Sequence, residues 1–136
     1  MAAKSQAQPK QDNNPIADAI ATALTRTALP GETDGLDQES RAAAAAFVAA
    51  TAAVRPPNHA VVHLESIGGE EGRRRMRLAV INDDMPFLVD SVAGAVGAHG
   101  LDIHRLLHPV VSVRRDGEGG LTAILPDDAS GERRES

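Results

Sequence analysis

The stretch that decides the fold is Asn82-Asp-Asp-Met-Pro-Phe-Leu-Val-Asp-Ser-Val-Ala-Gly-Ala-Val-Gly-Ala-His-Gly100. Leu88, Val92, Val96 and His99 recur at i, i+4, i+8 and i+11, and Val89 and Ala95 widen that stripe. The spacing predicts an amphipathic helix with one covered face. Asn82, Asp83 or Asp84 is expected to cap its start, with Pro86 in the first turn, where a missing N–H does no harm. Gly100 stands where a left-handed C-terminal cap belongs. Gly94 and Gly97 each cost about 1 kcal/mol relative to Ala inside a helix. Their i, i+3 spacing is read as a site of close packing by a neighbouring element.

Strands are expected on both sides. Upstream, Ala60–Ile67 reads as one strand and Arg73–Ile81 as its return, joined by the turn Gly68-Gly-Glu-Glu-Gly72. Met76, Leu78 and Val80 alternate with Arg73, Arg75, Arg77 and Ala79, so the apolar set is expected to be the covered face. The arginine face is read as solvated and protective against edge pairing, or as a contact for an acidic neighbour. Downstream, Leu101–Val113 reads as a strand bent at Pro109, followed by a turn at Arg114–Gly120 and a short strand at Leu121–Leu125. Strand, polar loop, helix, Gly and strand together predict a right-handed βαβ crossover between a parallel pair.

Before this unit two helices are expected. Asn14 caps the first, Pro15 occupies its first position, and Ile16, Ile20 and Leu24 form a narrow apolar stripe. The second runs from about Asp37 to Val54, saturated with Ala from Arg41 onward, capped by Asp34 or Asp37 and ended by Arg55-Pro-Pro. The expected division is a disordered tail at 1–14, a two-helix region at 15–58, the βαβ domain at 59–125 and an open-ended polar tail at 126–136.

Composition narrows the function. The 136 residues carry a formal net charge of −5, with two Phe and no Trp, Tyr or Cys. A pI near 5.4 argues against nucleic-acid binding. Without Cys there is no disulfide framework, thiolate nucleophile or cysteine metal site. The polar N-terminus has no signal-peptide core and no apolar run reaches membrane-spanning length, so a cytoplasmic location without membrane contact is expected. His104 and His108 are four apart, but on a strand that spacing spans roughly 13 Å, too far for one ion. No metal site is assigned. No nucleophile–base pair, paired carboxylates or phosphate-binding glycine loop can be placed either, so catalytic and cofactor-binding residues are expected to be absent from this chain.

The segment NDDMPFLVDSV…HGLDIHRLLHPVV, with the acid-rich loop and Pro before a short helix and a Gly leading into the next strand, resembles the opening half of ACT domains. More narrowly, residues 66–116 resemble the N-terminal ACT-like region of the large bacterial NAD-dependent glutamate dehydrogenases; the Ala-rich helix and Arg55-Pro-Pro resemble its preceding helix. The resemblance implies an α+β, ferredoxin-like (βαββαβ) fold, incomplete here for want of its second helix, and a regulatory or architectural role. It implies a parent enzyme that converts L-glutamate, NAD and water to 2-oxoglutarate, ammonium and NADH. NAD would belong to the parent and no cofactor to this chain. By the same analogy Asn82, Asp83, Asp84, Met85, Pro86, Phe87 and Leu88 would receive an amino-acid effector, the acids meeting its ammonium and the apolar residues forming a wall. The expected partners are the remainder of the parent polypeptide, such an effector and a second ACT module. The alternatives are a free-standing ACT-type amino-acid-sensing or protein-interaction module, and a helical adaptor using its Ala-rich helices.

Overall fold

A computed structural model describes residues 14–26, 28, 31–68, 74–126 and 133–136. It contains α1 (Pro15–Arg26), α2 (Gln38–Ala52), β1 (Val61–Gly68), β2 (Arg75–Ile81), α3 (Leu88–Ala98), β3 (Val111–Arg115), β4 (Leu121–Leu125) and β5 (Arg133–Glu135). The fold is α+β, an ACT-like unit preceded by two helices. The expected tail before Asn14 and most of the glycine turn at 68–72 lie outside the described residues.

Local chemistry explains both leading helices. The Asn14 Oδ1 accepts from the backbone N–H groups of Ile16 (3.1 Å) and Ala17 (3.3 Å), which satisfies donors that a helix start leaves without partners. Asp37 does the same for Ser40 at 2.7 Å, so Asp37 and not Asp34 caps α2. That bond holds the Asp37 carboxyl below its ordinary value. Ile20 and Leu24 are buried against Ala45 and Ala49. Small alanines on α2 let the helices approach closely, and the large side chains come from α1. Among the described residues no helix is long and apolar enough to cross a membrane.

The strands depart from the expected parallel pair. β1 and β2 form an antiparallel hairpin, and a second sheet has the order β4-β3-β5. Beyond β2 the chain meets β5: Asn82 and Ser136 exchange backbone hydrogen bonds at 3.0 and 2.9 Å, and the Asp84 N–H donates to the Arg134 carbonyl at 3.2 Å. Asp83 and Glu135 are an antiparallel bridge pair, and β5 is antiparallel to β3. The end of β2 and β3 therefore run in the same direction with β5 between them. This is a split βαβ unit, not a directly bonded pair. The stretch expected as a polar tail supplies the inserted strand, and both of its edges find backbone partners there.

Three further expectations change. Residues 101–110 are irregular, and only Val111–Arg115 is strand. On β2 the covered face is the opposite one: Ala79 and Ile81 are buried, while Met76 and Leu78 are exposed. Arg77 lies 5.9 Å over the Phe47 ring of α2 and pairs with Glu65 across the hairpin, so it is neither solvated nor an edge guard. The physical reason is the docking of α2 on this side of the hairpin, where the Phe47 ring meets the Arg77 guanidinium. Finally, among the described residues nothing approaches the Cβ positions of Gly94 and Gly97 within 4 Å, so no strand of the described chain makes the close packing expected there.

Candidate functional site

Two residues of the expected site, Asn82 and Asp83, are held by Arg55, which follows α2 and is 1% exposed. A buried guanidinium must find partners for its donors, and here it does. Its Nη1 donates to the Asp83 Oδ1 and the Glu135 Oε1, both at 2.8 Å. Its Nη2 donates to the Asn82 Oδ1 at 3.2 Å and its Nε to the His59 carbonyl at 2.5 Å. Its backbone N–H donates to the Gly119 carbonyl at 2.9 Å.

Arg115 completes the cluster. It grips Glu135 with two nitrogens, Nε to Oε1 at 3.0 Å and Nη2 to Oε2 at 2.9 Å, the fork geometry that carboxylates favour. Its Nη1 reaches the Ala52 and Gly119 carbonyls at 2.8 and 2.7 Å. The Ala52 carbonyl is one that the helix end leaves without an intrahelical partner, so Arg115 also terminates α2. Arg133 lies 3.3 Å from Asp83 at the exposed rim.

Gly119 makes this closeness possible. Its φ is +87°, and a Cβ there would sit 2.1 Å from the Arg55 carbonyl oxygen. Only glycine fits both the backbone angle and the gap.

The charges follow from these contacts. Burial works against ionisation of Glu135, but hydrogen bonds from Arg115 and Arg55 outweigh it and hold the carboxyl below its ordinary value. The Arg55 hydrogen bond lowers Asp83 in the same direction, against its own burial. Burial also opposes the charge on Arg55, and Asp83 and Glu135 more than restore it. Each of these three shifts favours the charged form, so Arg55, Asp83 and Glu135 are ionised at neutral pH. Such a cluster does not shuttle protons; it clamps α2, the loop after β2, the β3–β4 turn and β5 onto one another.

The seven expected site residues divide. Asn82 and Asp83 are held in the cluster, and none of the three acids or amides caps α3. The residue at the cap position is Phe87, with φ +67° and no side-chain capping bond. Asp84, Met85 and Pro86 are exposed, and Phe87 is 77% exposed in a left-handed conformation that costs a bulky residue about 1–3 kcal/mol. Leu88 is half-buried. The C-terminal end of α3 is as expected: Gly100 has φ +71°, its N–H donates to the Gly97 carbonyl and the Leu101 N–H to that of Val96, a Schellman motif. The structure thus brings two of the seven together with Arg55 and leaves an apolar tip standing out. A shallow open groove lies elsewhere, between Thr22 and Arg26 of α1 and Val111, Leu125 and Pro126. Among the described residues no three metal-ligating side chains converge.

Arg55, Arg115 and Glu135 carry the cluster, and none of them is among the expected site residues: the sequence places Arg55 at a helix end, Arg115 in a turn and Glu135 in a polar tail. The one local signal is an arginine set between an Ala-rich helix and Pro-Pro.

The residue pattern of the family described as "Glutamate dehydrogenase, ACT1 domain" matches positions 20–136. Two curated relatives are each named NAD-specific glutamate dehydrogenase. The protein from Pseudomonas aeruginosa is 46% identical over 52 residues, which is 38% of this chain and 3% of the relative. That from Halomonas elongata is 39% identical over 61 residues, covering 43% of this chain and 4% of the relative. The chain therefore spans only a few hundredths of the length of the relatives it matches. No solved structure matches. With the family pattern running from α1 through β5, across the whole Arg55 cluster, the chain belongs to the glutamate dehydrogenase ACT1 domain family.

Proposed function

We propose that this chain is the N-terminal regulatory and architectural segment of an NAD-dependent glutamate dehydrogenase, whose parent reaction takes L-glutamate, NAD and water to 2-oxoglutarate, ammonium and NADH. The observation that carries the reading is the Arg55 clamp. It fixes the loop after β2 to the last described strand, so that a contact made at the loop is felt at β5. Hydride transfer and NAD binding belong to the rest of the parent polypeptide, and the setting is cytoplasmic.

Within this reading the loop Asn82–Leu88 is the contact point. Asn82 and Asp83 are committed to Arg55, which leaves Asp84 to meet an ammonium group and Met85, Pro86 and Phe87 to meet an apolar side chain. An amino-acid effector has both features. The strained, exposed Phe87 supports this assignment, because an unfavourable backbone geometry persists where the surroundings or a binding role maintain it.

The test uses the full-length polypeptide that carries this segment. Glutamate-dependent NADH formation is expected, and its absence overturns the parent reaction. Calorimetric titration with a panel of amino acids is expected to give heat with at least one, and Asp84→Asn with Phe87→Ala to weaken that binding by about tenfold or more, the loss of roughly 1.4 kcal/mol. No heat with any amino acid removes the effector and leaves an architectural role alone.

A further inference from the structure

The hairpin β1–β2 has a face that the described chain leaves uncovered. In its register Val62 lies opposite Val80, Leu64 opposite Leu78 and Ser66 opposite Met76. Val62, Leu64, Met76 and Leu78 are between 41% and 59% exposed. The other face, carrying Ala79, Ile81 and Arg77, is the one that meets α2. The open face is therefore continuous, apolar and directed away from the two leading helices.

We propose that this face is the seat of an amphipathic helix supplied by another part of the same parent polypeptide, with an aliphatic stripe at i, i+3/i+4 and i+7 and a carboxylate near one end. The inference rests on the reading of this chain as a segment of a longer enzyme. Four considerations select that occupant. The uncovered side chains amount to roughly a few hundred Å² of apolar surface, the size of the largest and often functional patch on a monomer. A stable interface between two whole subunits takes about 800 Å² from each, more than this face supplies, whereas one helix laid on a strand pair needs no more than is here. Arg74, exposed at the turn end of the hairpin, is next in the alternation after Met76 and Leu78, so a cation borders the patch and calls for an acid on the incoming helix. The relatives extend far beyond the 3–4% of their length that this chain matches, so ample sequence exists to supply it.

The absence of Cys from this segment gives a direct test. In the full-length polypeptide, Leu64→Cys, Leu78→Cys and, as the exposed reference in the β3–β4 turn, Glu118→Cys are labelled with a thiol reagent and read peptide by peptide by mass spectrometry. Labelling at positions 64 and 78 is expected to be at least about tenfold slower than at 118, at every protein concentration. A short bifunctional reagent at position 64 is expected to capture a peptide of the same chain with the stated stripe and acid. Arg74→Glu in the Leu64→Cys background is expected to speed labelling. Equal rates at all three positions overturn the proposal. Protection that disappears on dilution, with capture of a second copy's hairpin, also overturns it, since the occupant is then another subunit. Protection unchanged by Arg74→Glu overturns the acidic end of the helix. None of these readouts depends on turnover, so an enzyme that fails to oxidise glutamate but protects both positions leaves the docking intact and removes only the parent reaction.

Discussion

The end of β2 and its outer face are finished in opposite ways. Where β2 runs on past Ile81, Asn82 and Asp83 sit at the rim of an ionic cluster whose buried centre has Arg55 and Arg115 sharing Glu135. Along its length, Leu78 and Met76 face outward with no cover. Here two charged residues, Arg55 and Glu135, are buried while four aliphatic side chains of the hairpin, Val62, Leu64, Met76 and Leu78, stand in solvent. Charges taken out of water demand partners, and partners must come from the same chain if the segment is to hold together. Aliphatic side chains can wait for a neighbour, because leaving them in water forgoes a gain without leaving a charge stranded. The closed end makes the module; the open face is available for joining it to something else.

Mutations at the closed end should therefore cost most. Glu135→Ala strands two buried guanidinium groups, and the expected loss is about 3–5 kcal/mol in chemical denaturation of this chain. A loss under about 1 kcal/mol would mean that water replaces the carboxylate and that the cluster is not a clamp.

Gly119→Ala comes next. The added methyl meets the Arg55 carbonyl and the residue must hold a positive φ, so a loss of at least about 2 kcal/mol is expected in the same assay. A neutral result would show that the turn and the end of α2 can separate without consequence.

Acid should act through the same carboxyls. Glu135 and Asp83 have folded-state values below their ordinary ones, so their stabilisation is fully present above the carboxylate range of the unfolded chain and is lost as pH falls through the lower folded values. Melting temperature is expected to drop steeply below about pH 4. In Glu135→Gln the starting value is lower and the slope through that window shallower. Parallel profiles for the two proteins would contradict the role of Glu135.

The smallest effect is expected on the open face. Leu64→Ser in this chain should change stability by no more than about 0.5 kcal/mol, as for surface positions. A larger loss would show that the chain already covers this face by itself, and would erase the contrast between the two regions.

Local signals carried much of the fold. Asn14 before Pro15, Asp37 before the Ala-rich run and Gly100 after Ala98 act through atoms two to five residues away, and each takes the position in the structure that its chemistry dictates. The stripe Ile16, Ile20 and Leu24 likewise marks the side of α1 that packs on α2. Reading the acids before α3 as a cap was reasonable by the same logic and failed for a non-local reason. Arg55, 28 residues earlier, competes for Asp83 and offers a charge-assisted bond in a buried place.

The sequence by itself determined which segments are helices, the starts of α1 and α2, the stop of α3, the α+β class and the kinship to ACT modules, because these depend on spacing and on neighbours in the chain. Tertiary structure alone decided that Arg133–Glu135 is a central strand, that Ala79 and not Leu78 is covered, and that the site loop is held from below by Arg55. Strand order and facing are settled by which partners offer hydrogen bonds and space at the moment of packing. Arg55 and Glu135 are 80 residues apart, and nothing in either one's local sequence names the other.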